Sequence, residues 1–564
     1  MPPALAFLNR VSTLPGERSR LAWGLAGVLH FAALAILLWS EIDLVSRLAF
    51  VLAWGLFNFA WLILLRRPAA AAALSLLLIV ILILLSRFKH DSLLMTVNFL
   101  DLILIDPDTT AFLFTIYPHL VWIVAGAAAL VALALAVLWR LDPFRVRLRT
   151  SLAGASGCLV ALATLSLAVP GDLYDDFYSG NYVSKFARSG VTGTLDLFTR
   201  GYLESDASAA ERLAAGHVCR PAARPPHIVM VFDESSFDAS ALPGVKLPPG
   251  YKDHFRSFDG RQRTLLVEVA GGPSWYTEYN VLAGLSVRSY GRFADFVTRI
   301  ATDRVERGLP RALADCGYRT FSLYPMLGAF ANARGFQTTS GIQTFLDSRS
   351  LGAQGVEPDS FFYDAAARLI ERERGEQPLF LFVYTTANHF PWNFRFRPEL
   401  TPDWRDTGNP LEVDEYIRRQ AMSARDYRAF VDRLKRDLPN DPILIVRFGD
   451  HQPSFAKRLV DPALDDSVLA RRIAEADPRY LSTYYAVEGI NTRPADLSSA
   501  LDVLDAPYLP LVVLEAAGLP LDPSFAEQRR ILNRCNGLFY RCGDGAEARR
   551  FNRLLIDAGL IKRL

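Results

Sequence analysis

Five short polar clusters contain the residues of this sequence whose types suit chemistry at a metal ion. They are Asp233-Glu234-Ser235-Ser236, Gly271-Gly272-Pro273-Ser274, Tyr324-Pro325, Asn388-His389 and Gly449-Asp450-His451. Their carboxylates, hydroxyl and imidazoles are ligands that zinc and manganese accept. A cation bound there would lower the pKa of a coordinated hydroxyl and neutralise charge on a phosphoryl oxygen, which makes Ser274 the candidate nucleophile.

Each cluster taken alone also has an ordinary structural explanation. A serine after Gly-Gly-Pro is most often a turn residue, and an Asp-His pair after a strand commonly forms a cap or a hydrogen bond. Glu234 alone fits the acidic residue at the start of a helix. Each cluster follows an apolar run, and this repeated arrangement favours one site shared by all five clusters.

Apolar runs precede all five clusters and predict the strands that position them. The runs are Ile228–Phe232, Leu265–Val269, Arg319–Leu323, Leu379–Tyr384 and Ile443–Phe448. Helical patterns near Phe361–Glu371 and Val413–Leu434 precede the last two, an alternation typical of an α/β domain with a mainly parallel sheet. Ligands of such sheets bind at the carboxyl ends of the strands, so we expect the clusters to converge.

In this order, the clusters resemble the lipoteichoic acid synthase-like and phosphoethanolamine transferase-like members of the alkaline phosphatase/sulfatase superfamily. The resemblance covers essentially the whole chain, and Val231–Ser236 is similar to the segment with the family's metal-binding glutamate. Ser274 stands four residues before a Glu-aromatic pair, as the nucleophile of the family does. The resemblance implies one catalytic zinc or manganese ion held by Glu234, Ser274, Asp450 and His451.

Two further segments imply residues on the substrate side. Asn388-His389-Phe390-Pro391 resembles a histidine motif of the family, which implies that Asn388 and His389 bind substrate and that His389 contacts the phosphate or protonates the leaving group. Phe330–Arg334 resembles, less specifically, a stretch with a phosphate-binding arginine, which implies Arg334.

The sequence departs from most members of this family at the nucleophile, where they have threonine and this chain has Ser274. Because the hydroxyl supplies the reactivity, the departure leaves open the subgroup and the donor lipid rather than the reaction class. A sulfatase that converts its nucleophile to formylglycine would need proline and arginine two and four positions later, where Tyr276 and Glu278 stand.

Five apolar runs in the first third of the chain are long enough to cross a hydrocarbon core of about 30 Å. They are Leu21–Trp39, Leu48–Leu65, Ala69–Leu85, Ile116–Leu138 and Leu152–Val169. A single run could be a buried core helix, but five in series predict an all-α transmembrane bundle. Between the third and fourth runs, Phe88–Thr110 mixes charged and apolar residues and is interpreted as an interfacial helix, with an ordinary structured loop as the alternative.

The distribution of arginine predicts the orientation of the bundle. Clusters before the first run, after the second and after the fourth all fall on one side of the membrane: Arg10, Arg18, Arg20, Arg66, Arg67, Arg140, Arg145, Arg147 and Arg149. Basic residues concentrate in cytoplasmic loops. We therefore expect a multi-pass protein of the inner or plasma membrane, with a cytoplasmic N-terminus and the chain after Val169 periplasmic or extracellular.

These patterns divide the chain into five segments. We predict a cytoplasmic tail (1–20), a five-helix transmembrane domain (21–169), a membrane-surface linker (170–221), a catalytic domain (222–525), and a C-terminal disulfide loop with a packing helix (526–564).

Four cysteines lie outside the predicted spans, and their even number suggests two disulfides. Cys535 with Cys542 would close a short loop, and Cys219 would then pair with Cys316. Four cysteines allow three connectivities, so this pairing is a hypothesis. A zinc site made of these cysteines is the competing interpretation, but no C-x-x-C spacing supports it.

The function expected from these residues is metal-dependent transfer of phosphoglycerol or phosphoethanolamine through a phospho-serine. The donor would be a membrane phospholipid and the acceptor an envelope glycan or lipid. With 61 basic and 59 acidic residues, nothing favours nucleic acid as a partner, and we expect a monomer. The alternatives are a membrane-anchored phosphodiesterase or sulfatase-like hydrolase, and a catalytically dead scaffold, which would have lost metal ligands that this chain retains.

Overall fold

The computed structural model describes residues 15–93, 95–104, 119–171, 179–208, 211–214, 218–221, 224–463 and 465–562. The chain divides into two compact units, Met1–Thr199 and Arg200–Leu564. We refer to the first as the membrane unit and to the second as the sheet unit.

The described part of the membrane unit is built from helices. They are α1 (Pro15–Ser40), α2 (Leu44–Leu65), α3 (Pro68–Leu93), α4 (Phe99–Leu104), α5 (Leu120–Leu141), α6 (Leu148–Ala168) and α7 (Tyr182–Thr199). Among the described residues, α1, α2, α3, α5 and α6 are the five helices long and apolar enough to cross a membrane, which confirms the five predicted spans. The predicted start of the fourth span, residues 116–118, lies outside the described residues.

Helices α2 and α6 pack closely through small residues. A Cβ atom at Gly55 would lie 2.8 Å from Sγ of Cys158, and one at Gly154 would lie 2.5 Å from the ring of Phe59. In lipid the hydrophobic effect does not drive helices together, so close backbone approach at glycine is a main source of helix association. The pair therefore packs as membrane helices do.

The segment Phe88–Thr110 does not form the single interfacial helix that its sequence suggested. Helix α3 continues through Leu93, and the short helix α4 follows the non-helical residues 95–98; residues 105–110 lie outside the described part. Lys89 near the end of α3 donates to Asp101 of α4 at 2.9 Å. Hydropathy marks where the hydrocarbon core ends, whereas a helix continues for as long as its hydrogen bonds are kept, so the span and the helix end at different residues.

The predicted linker 170–221 contains helix α7, which belongs to the membrane unit. Tyr182, Val183 and Phe186 are buried and pack in a cluster with Leu37 and Ile79. These three residues lie on one helical face, a pattern that the polar composition of the surrounding sequence concealed. Of the predicted linker, residues 172–178, 209–210 and 215–217 lie outside the described part.

The sheet unit contains, within the described residues, an eight-stranded sheet in the order β4-β3-β5-β1-β6-β7-β2-β8. The strands are β1 (His227–Asp233), β2 (Arg263–Leu266), β3 (Arg319–Leu323), β4 (Thr344–Leu346), β5 (Leu379–Tyr384), β6 (Ile443–Gly449), β7 (Ser482–Ile490) and β8 (Val503–Asp505). Adjacent strands are parallel except at β7, which runs antiparallel to β6 and β2. The mainly parallel sheet is therefore confirmed.

The helices of the sheet unit lie between and after these strands. They are α8 (Trp275–Ala283), α9 (Val297–Ala301), α10 (Leu309–Asp315), α11 (Ala333–Thr339), α12 (Ser348–Leu351), α13 (Asp359–Glu373), α14 (Leu411–Asp437), α15 (Ala456–Val460), α16 (Asp466–Ala474), α17 (Pro478–Leu481), α18 (Leu509–Ala516), α19 (Pro523–Cys535) and α20 (Ala546–Asp557). Both helices predicted before the last two clusters are present as α13 and α14. They pack on strands β1, β5 and β6, every residue of which is buried. The central strands are covered on both faces, as their continuous apolar sequences indicate.

Two disulfides join the four cysteines in the predicted pairing. Cys219 bonds Cys316, and Cys535 bonds Cys542. Helix α20 follows the second bridge and buries Phe551.

Candidate metal centre

Four side chains from three strand ends meet in one buried pocket. Oγ of Ser274 lies 3.2 Å from Oε2 of Glu234 and 3.3 Å from Nε2 of His451. Nε2 of His451 lies 3.3 Å from Oδ2 of Asp450 and 3.7 Å from Oε1 of Glu234. One ligand atom from each of Glu234, Asp450 and His451 lies within 4.8 Å of the others. Three of the five clusters predicted to converge therefore meet here.

The register of two neighbouring strands brings the carboxylates together. Asp233 at the end of β1 is paired with Gly449 at the end of β6, so Glu234 and Asp450 leave the sheet at the same level. A Cβ atom at position 449 would lie 1.7 Å from the carbonyl oxygen of Ser236, so only glycine allows this close approach. The turn after β6 therefore depends on glycine.

Ser274 reaches the pocket from a different turn. Gly271 and Gly272 have φ values of 78° and 101°, which residues with a side chain rarely adopt. The two glycines turn the chain so that Ser274 directly precedes the first residue of α8. The amino end of a helix carries partial positive charge and stabilises nearby negative charge. A nucleophilic oxygen at this position is therefore favoured in its ionised form.

Hydrogen bonds orient the candidate ligands toward one point. Nδ1 of His451 lies 2.9 Å from the carbonyl oxygen of Gln452, so Nδ1 carries hydrogen and Nε2 faces the carboxylates. Oδ1 of Asp450 accepts from the backbone N–H groups of Ser235 at 2.7 Å and His451 at 2.8 Å. Oδ2 of Asp450 is buried and accepts no hydrogen bond within the described residues. A divalent cation bound by this oxygen and by Nε2 of His451 would supply the missing partner.

The electrostatics of the pocket also fit a cation. Burial, followed by the charge of Glu234, raises the pKa of Asp450 well above its ordinary value. Burial opposes ionisation of Glu234 too, but the imidazoles of His451 and His389 and the hydroxyl of Tyr384 outweigh it, so the pKa of Glu234 is lowered. Two buried carboxylates that repel each other are both stabilised in their charged forms when a cation lies between them.

Asn388 and His389, which the resemblance predicted to be on the substrate side of the site, follow β5. His389 is near enough to lower the pKa of Glu234, and its Nδ1 lies 2.7 Å from the carbonyl oxygen of Phe390, which leaves Nε2 for a reacting group. Asn388 is 1% exposed, and neither polar atom of its amide has a hydrogen-bond partner in the described part of the chain. A buried amide without partners is a candidate for binding a ligand.

A buried cation on α14 holds the loop that carries these two residues. Arg419 is 1% exposed and donates to the carbonyl oxygens of His389 at 2.7 Å, Pro391 at 2.9 Å and Phe394 at 3.3 Å. Glu415 on the same helix accepts from Arg419 at 2.7 Å. The carbonyl oxygens of the loop are thus fixed by one guanidinium group, which is itself fixed by a buried carboxylate.

Arg334 is not brought to the cluster by any contact that the structure describes. Its guanidinium donates to Oδ2 of Asp347 at 2.7 Å and lies 4.7 Å from the centre of the Phe345 ring, and the side chain is half exposed. A pairing of this kind already satisfies the charge of Arg334. Its role as a phosphate ligand remains a prediction from the resemblance alone.

Tyr384 and Thr277 are residues of the centre that the sequence did not reveal. The hydroxyl of Tyr384 donates to Oε2 of Glu234 at 2.6 Å, and Thr277 donates to the carbonyl oxygen of Asp450 at 2.7 Å. Tyr384 is the last residue of β5, and its place at a carboxyl strand end was the one available signal. Thr277 lies inside α8, where a threonine gives no indication of its partner.

Comparison with known proteins gives two partial sequence relatives. The chain is 20% identical over 275 residues to an uncharacterized protein of Haemophilus influenzae, covering 46% of this chain and 47% of that protein. It is 26% identical over 250 residues to the capsular polysaccharide biosynthesis protein RkpI of Rhizobium meliloti, covering 43% and 44%. The match therefore spans less than half the length of either relative.

Two solved structures of phosphoglycerol and phosphoethanolamine transferases show limited similarity to this chain. The Streptococcus pyogenes phosphoglycerol transferase GacH, in complex with sn-glycerol-1-phosphate, has a TM-score of 0.44 at 16% identity, over 60% of this chain and 85% of that chain. The Neisseria meningitidis lipooligosaccharide phosphoethanolamine transferase A has a TM-score of 0.42 at 13% identity, over 85% and 96%.

A protein-family model described as sulfatase matches residues 276–475. The matched segment contains His389, Asp450 and His451 and begins two residues after Ser274. Residues 276–475 are therefore similar to sulfatase-family domains.

Proposed function

We propose that this protein is a metal-dependent phosphotransferase that moves a phospho-head group from a membrane phospholipid to a glycan or lipid of the cell envelope. The head group is phosphoglycerol or phosphoethanolamine. The observation that carries the proposal is the position of Oγ of Ser274, 3.2 Å from a carboxylate oxygen of Glu234 and 3.3 Å from Nε2 of His451. A hydroxyl so close to candidate metal ligands suits a nucleophile better than a turn residue.

The candidate ligands supply the conditions for attack. Zinc or manganese held by Glu234, Ser274, Asp450 and His451 would promote loss of the Ser274 proton and neutralise charge on the phosphoryl oxygens. The amino end of α8 adds positive potential at the same oxygen. Tyr384 and the backbone N–H of Ser235 hold the two carboxylates in place.

The reaction then proceeds in two balanced steps. Oγ of Ser274, which has already lost its proton to solvent, attacks the phosphorus, the bond from phosphorus to the diacylglycerol oxygen breaks, and Nε2 of His389 donates a proton to that oxygen. A hydroxyl of the acceptor next attacks the phospho-serine, His389 takes its proton, and Ser274 is released. If water replaces the acceptor, the same residues make the protein a hydrolase.

Asn388 is the residue best placed to bind the head group beside His389. Its buried amide has a donor and an acceptor without partners among the described residues, which matches the mixed polarity of a glycerol or ethanolamine head group. The relationship to a capsular polysaccharide biosynthesis protein is consistent with a glycan as acceptor.

We place the protein in the inner or plasma membrane, with its N-terminus in the cytoplasm and the sheet unit outside. The loops rich in arginine lie at one end of the membrane unit, because Arg67 donates to the carbonyl oxygen of Trp139 at 2.9 Å and the backbone N–H of Ala69 donates to Asp142 at 2.7 Å. Basic loops on one side support a cytoplasmic location for that end.

The experiment that tests the proposal uses purified full-length protein with manganese or zinc and head-group-labelled phosphatidylglycerol or phosphatidylethanolamine. We expect release of diacylglycerol and labelling of the protein, and the labelled lipid that reacts identifies the head group. Ser274→Ala should abolish both products, whereas Ser274→Thr, which keeps a hydroxyl, should retain activity. Absence of both products, or their persistence in Ser274→Ala, would overturn the proposal.

A further inference from the structure

A cleft of about 450 Å³ lies at one end of the membrane unit, entirely within that unit. Its lining includes Trp39 and Ser40 at the end of α1, Arg87 and Asp91 near the end of α3, and Tyr182 at the start of α7. Helices α1 and α3 run in the same direction because the chain reverses twice between them. The cleft, here named the span-end cleft, is therefore at the end opposite to the arginine-rich segments at residues 66–67 and 140–149.

Arg87 gives the span-end cleft its most distinctive feature. Its guanidinium lies 5.9 Å from the centre of the Trp39 ring, and none of the described residues provides a carboxylate partner for it. Lys89, two residues later, is by contrast paired with Asp101 at 2.9 Å. The charge of Arg87 is thus available to an anion that enters the cleft.

The location of this arginine is unusual for a membrane protein. Basic residues concentrate at the cytoplasmic ends of spans, and the arginine clusters of this chain lie at the opposite end of the bundle. Arg87 lies at the predicted outer end, inside a cleft and beside the exposed Trp39. The preference of basic residues for the cytoplasmic side does not explain this position. Phosphate groups of lipids are the anions present at that depth.

We propose that the span-end cleft binds the phosphodiester head group of a membrane phospholipid, with Arg87 as the phosphate ligand and Trp39 beside the head group. Arginine matches phosphate oxygens in a bidentate arrangement, and tryptophan is stable at the level of lipid head groups. The volume suits a head group, since small-molecule sites occupy several hundred Å³. Asp91 on the rim is positioned for an ammonium group, if the head group carries one.

This binding site goes beyond the proposed transferase activity and does not depend on it. All its lining residues belong to the membrane unit, and the candidate metal centre is made of residues of the sheet unit. A protein whose Ser274 proved inactive would still hold the lipid. The two proposals can therefore fail separately.

Native mass spectrometry of the full-length protein in detergent tests the site directly. Phosphatidylglycerol, phosphatidylethanolamine and diacylglycerol are each added at equal concentrations, and the occupancy of the protein by each is measured. We expect the two phospholipids to be retained and diacylglycerol, which lacks the phosphate, to be lost. Arg87→Gln should weaken phospholipid binding about tenfold, as expected for the loss of a charge-assisted hydrogen bond, and Arg87→Lys should retain part of it.

Arg140→Gln is the matched control, because Arg140 is also an exposed arginine at the end of a span but lies at the other end of the bundle. It should bind phospholipid as the unaltered protein does. Equal occupancy in Arg87→Gln and the unaltered protein would overturn the proposal, and so would retention of diacylglycerol equal to that of the phospholipids. The unfolding temperature of each variant shows that the fold is kept, and the relative preference for the two phospholipids identifies the head group.

Discussion

The guanidinium of Arg419 donates to the carbonyl oxygen of His389 at 2.7 Å, and so connects a buried cation of α14 to the proposed general acid. Two more carbonyl oxygens of the same loop accept from Arg419, and Glu415 holds the guanidinium from the other side. The side chain of His389 is therefore positioned through its backbone. This arrangement makes Arg419 a positioning residue whose effect can be measured.

We predict that Arg419→Lys lowers kcat by about tenfold to a hundredfold while KM changes little, because a small displacement of a catalytic group costs about that much. A lysine keeps the charge near Glu415 but cannot reach three carbonyl oxygens. Steady-state kinetics with a labelled phospholipid gives kcat and KM separately. Arg395→Gln is the control, since Arg395 also pairs with Glu415, at 3.2 Å, but donates to Asp406 rather than to the loop carbonyls. Equal losses in both variants would contradict a positioning role.

Asp450→Asn should have opposite effects on activity and on stability. Without metal, burial and the charge of Glu234 raise the pKa of Asp450, so the ionised carboxylate is destabilising. An amide of the same shape removes that repulsion, and we expect the metal-free variant to unfold at a higher temperature than the metal-free unaltered protein. The same variant should bind zinc or manganese more weakly and lose at least about a hundredfold in activity. Metal analysis and thermal unfolding, with and without a chelator, measure both effects. A metal-free variant less stable than the unaltered protein would be the contrary result.

Asp505 provides a prediction about pH that is independent of the metal. Burial, opposed by the backbone N–H of Phe539, raises the pKa of Asp505 to about 7, against about 3.8 when unfolded. Below about pH 4 Asp505 is protonated in both the folded and the unfolded chain, so its burial does not lower the stability of the fold. As the pH rises toward 7 the unfolded chain loses its proton first, so stability falls by up to about 1.4 kcal/mol per pH unit. Asp505→Asn should remove this part of the pH dependence, which thermal unfolding of the full-length protein from pH 4 to 8 measures. An unchanged slope would contradict the assignment.

The two disulfides should differ in their contributions to stability. Cys219 and Cys316 are 97 residues apart in sequence, whereas Cys535 and Cys542 are 7 apart. A disulfide lowers the conformational entropy of the unfolded chain, which should stabilise the fold by about 5 kcal/mol for the long loop and about 2 kcal/mol for the short one. Unfolding of the paired serine variants, Cys219→Ser with Cys316→Ser and Cys535→Ser with Cys542→Ser, compares them. A larger loss from the short loop would show that chain restriction does not govern these bridges.

The sequence predicted the candidate centre better than the environment around it. Glu234, Ser274, Asp450 and His451 follow apolar runs, and the carboxyl ends of parallel strands converge in any sheet of this class, so their meeting needed no knowledge of packing. Strand β7, by contrast, is antiparallel, and the clamp made by Arg419 joins a side chain to main-chain atoms 30 residues away. Contacts of that kind have no sequence signature.

The resemblance to a family was informative in proportion to the specificity of each motif. The motif around His389 led to a residue close enough to affect the pKa of Glu234. The looser motif around Arg334 led to a residue that pairs with Asp347. In the membrane unit, hydropathy identified all five spans but not α7, whose buried face of Tyr182, Val183 and Phe186 is interrupted by polar residues.

In the proposed mechanism, Ser274 carries the phospho-head group between donor and acceptor. The most direct measurement is mass spectrometry of the peptide that contains Ser274, after the full-length protein has reacted with phospholipid and metal in the absence of acceptor. We predict that this peptide has the added mass of phosphoglycerol or phosphoethanolamine on Ser274, and that an equal amount of diacylglycerol is released. Diacylglycerol released without an adduct on Ser274, and released equally by Ser274→Ala, would contradict it.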